Sequence, residues 1–259
     1  MHEMGSYFME NQPPDYIDGP HGPIAYRKRQ GEGPGIVWLG GFRSDMLGTK
    51  AGFLDDWAAR AGRAFLRFDY SGHGESDGRF EDGSIGEWAA DALAAFDALT
   101  DGAQILVGSS MGAWIATLLA KQRPDRIAAI IFIAPAPDFT EKLMWPGFTE
   151  DERQTILREG RLEQPSEYSD EPEIITRKLI EDGRNHLVMT DPVPIACPVR
   201  ILQGMKDDAV PWRHAVEFAE RIASDDVELT LTKNGDHRLS TPADLDRLTG
   251  VLEKIGNNL

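Results

Sequence analysis

Three residue types on loops that follow strands could together do nucleophilic chemistry here: a serine, an aspartate and a histidine. The serine is Ser110, at the centre of Gly108-Ser109-Ser110-Met111-Gly112. An apolar run, Gln104-Ile105-Leu106-Val107, precedes it, and a helical stretch over residues 113–120 follows. A strand, a tight turn flanked by glycines and a helix hold the apical serine out of the sheet with its hydroxyl exposed. A second run with the same spacing, Gly74-Glu75-Ser76-Asp77-Gly78, lacks that context. It follows the polar loop Asp69-Tyr70-Ser71-Gly72-His73 and leads into more loop. Ser110 is therefore the expected nucleophile and Ser76 a loop residue.

A serine hydroxyl needs a base to take its proton, usually a histidine oriented by a carboxylate. On a serine elbow of this kind the partners follow in the order acid, then histidine. Of six histidines, only His186, His214 and His237 follow Ser110. His186 lies in a charged insertion and His214 inside a helical pattern. His237, in Gly235-Asp236-His237-Arg238, stands on a loop just past the last strand pattern, where the sites of open α/β sheets gather. It is the expected base. The acid is expected in Gly204-Met205-Lys206-Asp207-Asp208, after the run Ile201-Leu202-Gln203. Two adjacent carboxylates stand there, and spacing alone leaves Asp207 and Asp208 open, the other being a neighbour that caps the next helix. Acyl transfer also needs donors for the oxyanion. The N–H of Met111, directly after the serine, is one, and the N–H of Phe42, in Leu39-Gly40-Gly41-Phe42, is the expected second.

The elements that must position these residues read as an alternation. Tyr16-Ile17-Asp18 and Ile24-Ala25-Tyr26-Arg27 flank Gly19-Pro20-His21-Gly22-Pro23 as an antiparallel hairpin. Strand patterns then stand at 35–39, 64–68, 104–107, 127–134, 199–202 and 227–231, with helices over 50–61, 85–99, 113–120 and 213–222 and a last one opened by Thr241-Pro242. Ser84 and Glu87 have the spacing of a capping box for the helix over 85–99. Such strands, nearly all apolar, predict an α/β fold: a mostly parallel central sheet with helices on both faces. Between residues 138 and 196 charge rises and apolar strands vanish, leaving helical patterns over 149–159 and 171–183. That stretch is expected to be a helical cap inserted after the sixth strand, with 1–137 and 197–259 forming the core. Its cations Lys142, Arg153, Arg158, Arg177 and Arg184 are candidates to pair with a substrate carboxylate.

The chain has 259 residues and a net charge of −16. That charge argues against nucleic acid and against anionic membrane surfaces as partners. The single cysteine, Cys197, permits no internal disulfide and reads as a small buried hydrophobe. The first ten residues lack a basic segment before an apolar run, and no apolar stretch is long enough for stable membrane insertion. A soluble, cytoplasmic protein is expected. No clustered ligand spacing calls for a metal, and no organic cofactor is implied.

The chain resembles the α/β-hydrolase superfamily over nearly its whole length. Asp69-Tyr70-Ser71-Gly72-His73-Gly74-Glu75-Ser76 matches that family's D-x-x-G-x-G-x-S turn. Gly204-x-x-Asp207-x-x-Val210-Pro211 matches its acid loop, which implies that Asp207 and not Asp208 is the triad acid. Gly235-x-His237 matches the histidine loop, while Gly40-Gly41-Phe42 departs from the usual His-Gly before the oxyanion donor. A closer resemblance is to the mitochondrial abhydrolases that act as palmitoyl-protein thioesterases and acyl-glucuronide esterases. It rests on Arg67-Phe68-Asp69-Tyr70-Ser71-Gly72, residues 104–110, Gly204-Met205-Lys206-Asp207-Asp208 with Val210-Pro211-Trp212, and Asp236-His237-Arg238.

The residues and the resemblance lead to one expectation. It is a serine hydrolase of carboxylic ester or thioester bonds, with Ser110, Asp207 and His237 as the triad. Its substrate is expected to be a small-molecule ester or thioester, or an acylated protein. Carbon–carbon bond hydrolysis or acyl transfer on the same triad is the alternative within enzymes. A non-catalytic binding protein on this fold is the alternative outside them. Dehalogenase or epoxide-hydrolase chemistry is not expected, because those relatives carry an aspartate at the elbow.

Overall fold

The computed structural model describes residues 13–164, 172–190 and 192–256. The N-terminal residues read above for a leader lie outside the described residues. Among the described residues ten strands form, eight of them in one sheet in the order β1-β2-β4-β3-β5-β6-β9-β10. Strands β1 (Asp15–Gly19) and β2 (Gly22–Arg29) make the antiparallel hairpin, and β2 lies antiparallel to β4 (Arg63–Phe68). All other pairs of this sheet are parallel: β4 on β3 (Glu32–Leu39), then β5 (Gln104–Ser109), β6 (Ile127–Ile133), β9 (Val199–Gly204) and β10 (Val227–Thr232).

The central strands are apolar on both sides because helices cover both faces. Successive residues of β3 alternate between two cores: Val37 and Leu39 join Trp88, Trp114 and Phe218, while Ile36 and Trp38 join Leu54 and Leu248. The first core is closed by α2 (Ile85–Leu99), α3 (Met111–Gln122) and α6 (Trp212–Arg221). The second is closed by α1 (Thr49–Ala61) and α7 (Pro242–Gly256). From β3 the chain moves outward to β4 and then crosses back to β5. That reversal opens a crevice beyond the carboxyl ends of β3 and β5, the place where open α/β sheets bind ligands.

Residues 138–196 hold α4 (Glu150–Glu159), the antiparallel pair β7 (Arg161–Gln164) and β8 (Glu173–Thr176), and α5 (Arg177–Asn185). The sequence pattern ran a helix from 171. Instead Ile174 and Ile175 are extended and the helix begins at Arg177, behind a Thr176 hydroxyl that accepts from Leu179 N–H. Alternation decides this: Ile175 is buried beside Phe148, Ile156 and Ile180 in a small separate core, and two β-branched residues fit a paired strand.

Two local expectations need correction. The Ser84 side chain makes no bond to the backbone at the start of α2, and its Oγ lies 3.4 Å from Glu87 Oε2. Glu87 is drawn instead to Lys178 of α5 at 2.7 Å, and Asp182 of α5 accepts from Gly86 N–H at 2.7 Å. The acid that satisfies this helix start thus comes from α5, a partner that local spacing cannot reveal. Nor does Asp208 cap α6: it is exposed, and the capping position is held by Pro211.

Candidate active site

Ser110 sits between β5 and α3 with φ 54° and ψ −117°, outside the regions that a side chain prefers. Close packing forces that turn. A Cβ at Gly112 would overlap the Leu39 carbonyl of β3, and one at Gly108 would lie 2.5 Å from the Gly112 carbonyl. Only glycines let α3 start this close to the sheet. Ser110 N–H donates to Ile133 O of β6 at 2.9 Å, and Ser110 O accepts from Ala113 and Ala136.

The Ser110 Oγ lies 3.1 Å from His237 Nε2, and His237 Nδ1 lies 2.8 Å from Asp207 Oδ2. A carboxylate oxygen can only accept from the ring, so Nδ1 carries the proton and Nε2 accepts from the serine hydroxyl. Asp207 is buried at the end of β9, while the His237 side chain keeps 31% of its surface exposed. Three donors orient the Asp207 carboxylate: Gln203 Nε2 at 3.0 Å, Ala209 N–H at 3.0 Å and Val210 N–H at 2.7 Å. Asp208 next to it points into solvent. Tertiary placement therefore separates two residues that spacing left equivalent.

Met111 is the first residue of α3, so its N–H belongs to the set that a helix leaves without an intrahelical acceptor. Phe42 follows Gly41 in a turn closed by Ser44 N–H to Gly41 O at 3.1 Å. A Cβ built on Gly41 would be 3.4 Å from Ser110 Cβ, so this turn lies directly beside the serine. Behind it, the buried backbone of Met46 is clamped from both sides. Its N–H donates to Asp69 Oδ1 at 2.6 Å, and its carbonyl accepts from Arg67 at 2.9 Å. Arg67 also pairs with Asp55 at 2.9 Å. Burial pushes the Asp69 carboxyl up to about 6, against the pull of N–H donors from Glu75 and Met46.

Ser76 has a different task. Its hydroxyl donates to Asp69 O at 2.7 Å and accepts from Ala25 N–H at 2.8 Å, latching the loop to β2. His214 is buried with Nε2 2.8 Å from Pro137 O, and His186 pairs with Asp182. Burial pushes the Cys197 thiol up to about 11, which leaves it unreactive. Among the described residues no group of three His, Cys, Asp or Glu side chains could hold a metal ion.

All five cations of residues 138–196 singled out from the sequence are engaged. Lys142 meets Glu217, Arg153 the Trp145 carbonyl, Arg158 Glu159, Arg177 Glu181 and Arg184 Glu141. Arg43, next to Phe42, is a cation that the sequence reading passed over. Arg43 stacks on Phe80, 4.4 Å from its centroid, and reaches the Ile174 carbonyl of β8 at 3.3 Å. Gln203 and Lys50 were passed over too, since neither belongs to a spacing pattern.

The family described as "Serine aminopeptidase, S33" matches residues 43–181. The bovine (Bos taurus) "Palmitoyl-protein thioesterase ABHD10, mitochondrial" is 39% identical over 239 residues, covering 91% of this chain and 77% of that protein. The chain belongs to the serine hydrolases of the α/β-hydrolase superfamily. Two solved structures resemble this α/β-hydrolase throughout. A putative hydrolase from Agrobacterium vitis S4 has TM-score 0.89 and 44% identity, covering 94% of this chain and 99% of that one. Mouse alpha/beta hydrolase domain-containing protein 10 has TM-score 0.88 and 35% identity, covering 95% and 99%. The name of the bovine relative includes "mitochondrial", so the cytoplasmic location expected for this α/β-hydrolase draws no support from it. Among its described residues no helix is long and apolar enough to cross a membrane.

Proposed function

We propose that this α/β-hydrolase cleaves carboxylic ester or thioester bonds through an acyl-enzyme on Ser110. The observation that carries the reading is the continuous contact from Ser110 Oγ to His237 Nε2 and from His237 Nδ1 to Asp207. Ser110 attacks the acyl carbon while His237 takes its proton. The N–H groups of Met111 and Phe42 hold the developing oxyanion. His237 then protonates the leaving alcohol or thiol, and water repeats the sequence to release the acid. Asp207 keeps the imidazole in the tautomer that accepts from serine.

The finer reading is an acyl-protein thioesterase, with an acyl-glucuronide esterase beside it. The name of the ABHD10 relative supports the first. The second draws no help from the five engaged cations. Residues 138–196 act as the cap of this site, with 1–137 and 197–259 as the core. Asp138 supports that division, because its carboxylate accepts from Val188 and Met189 N–H at 2.8 Å and so joins both ends of the segment. The test is one preparation assayed on p-nitrophenyl esters, acyl-CoAs, acylated peptides and acyl-glucuronides, with products identified. Hydrolysis of esters or thioesters that vanishes in Ser110→Ala supports the reading. Products of acyl transfer or carbon–carbon cleavage alone would replace it.

A further inference from the structure

Lys50, in the first turn of α1, is half-buried and directs its amine at the histidine loop. Its Nζ donates to the Arg238 carbonyl at 2.5 Å and lies 3.4 Å from Ser240 Oγ. Ser240 Oγ donates to the same carbonyl at 3.0 Å. That carbonyl belongs to the residue directly after His237. Elsewhere in the loop Gly235 O accepts from Lys206 N–H and the Asp236 side chain from Leu239 N–H, each at 2.9 Å, and Gly235 N–H donates to Thr232 O at 3.0 Å. Leu239 has φ 44°, so the chain reverses sharply after the histidine. Lys50 also stands just past the loop that carries Phe42. One side chain therefore links the start of α1 to the histidine loop, across 188 positions of sequence.

We propose that Lys50 is a positioning residue for His237: its ammonium holds the Arg238 carbonyl and thereby keeps the imidazole between Ser110 and Asp207. The inference rests on the reading of Ser110, Asp207 and His237 as a catalytic triad. The groups facing Lys50 are Asp236 and Arg238 of the histidine loop and Asp244 of α7. Burial lowers the lysine to about 8; Asp236 and Asp244 oppose that and Arg238 adds to it. Taking an ammonium partly out of water is costly unless it is paired, and this one is paired with a main-chain carbonyl beside the base. Loss of its charge weakens the bond, since charge-assisted hydrogen bonds are about twice as strong as neutral ones.

The test uses Lys50→Met and Lys50→Arg in the full chain, assayed on p-nitrophenyl butyrate from pH 6 to 10, with folding followed by thermal melting. Wild type is expected to lose kcat above pH 8. Lys50→Met is expected to lose about 10- to 100-fold in kcat at pH 7, the scale of a small misplacement of a catalytic group. Its KM stays within about threefold, and its alkaline decline disappears. Lys50→Arg, charged throughout this range, restores most of kcat and holds it to pH 10. Should Lys50→Met fail to fold, the flat alkaline profile of Lys50→Arg still decides the matter. Wild-type kcat in Lys50→Met overturns the proposal, as does an alkaline decline that persists in Lys50→Arg. If Ser110→Ala keeps full activity, the triad reading itself fails, a result distinct from either.

Discussion

The ring of Phe42 meets the ring of Phe139 edge-on, with centroids 5.5 Å apart. Phe42 carries the second oxyanion donor of our reading, and Phe139 is the second residue of the segment we assign as the cap. Phe42 also packs against the small core of that segment, beside Phe148 and Ile156. The position of residues 138–196 is therefore felt at the main chain beside Ser110. Phe139→Ala is expected to cost about 3–5 kcal/mol in a urea melt, the usual range for a buried phenylalanine. It should also lower kcat about tenfold, part of the 10²–10³ that one oxyanion donor is worth. A folded variant with unchanged kcat would show that the donor does not depend on this contact.

Ser110 stores backbone strain at φ 54° and ψ −117°. Such conformations cost about 1–3 kcal/mol in residues with a side chain. Ser110→Gly is expected to be about 1 kcal/mol more stable than Ser110→Ala, with neither hydrolysing esters nor reacting with a fluorophosphonate probe. Equal melting curves for the two variants would remove the strain argument.

Ser76→Ala breaks the latch between Asp69 O and Ala25 N–H, leaving a buried donor without its partner. A loss of about 1–3 kcal/mol is expected, the desolvation penalty of such a group. Fluorophosphonate labelling should persist, because the serine that reacts is Ser110. Loss of labelling in a folded Ser76→Ala protein would contradict the assignment.

Asp207→Asn and Asp208→Asn separate orientation from surface charge. Asp207 accepts from His237, Gln203, Ala209 and Val210, whereas Asp208 is exposed. Asp207→Asn can donate its amide N–H to Nδ1, which holds the imidazole in the tautomer that cannot accept from serine, and is expected to lose up to about 10⁴ in kcat. Asp208→Asn should stay within about twofold, as exposed charges contribute little. Similar losses in both would sink the choice of Asp207.

His73 supplies a pH signature in stability. Its ring lies among Tyr70, Phe80 and Trp88, and its Nδ1–H donates to Ser71 O at 3.2 Å. Burial lowers it from 6.5 to about 4. Between those values the unfolded chain binds a proton that the folded chain refuses, so stability rises with pH across the window. The contribution is fully present above pH 6.5 and lost as pH falls through 4. A shift of this size corresponds to about 3 kcal/mol. Relative to His73→Phe, wild type should therefore gain about 3 kcal/mol between pH 4 and pH 7 in urea melts. A constant difference across that range would show that His73 does not titrate as its burial demands.

Much of the frame was legible without coordinates. The glycines at 108 and 112 mark a backbone that only they permit, and apolar runs bounded by turns mark strands covered on both faces. The antiparallel hairpin, the mostly parallel sheet and the start of α7 at Thr241-Pro242 follow from signals within a few residues of one another. The Ser84–Glu87 spacing misled, because Lys178 and Asp182 from α5 compete for the same groups.

The sequence by itself determined which residue types stand at the ends of strands, because turn geometry and burial act locally and leave local marks. Ser110, His237 and the pair Asp207-Asp208 were visible on that ground. Spacing left that pair open and the resemblance of the acid loop singled out Asp207; the tertiary structure supplies the physical reason, the donors that converge on Asp207. Sequence context had already made Ser76 a loop residue, and the structure adds that its hydroxyl is held by β2 and that neighbouring acids or carbonyls engage the five cations. Lys50 and Arg238 are 188 positions apart, and no local pattern could pair them. A hydrogen bond to a main-chain carbonyl places no demand on the identity of the residue that carries it, so nothing in the sequence near Arg238 records that Lys50 is there.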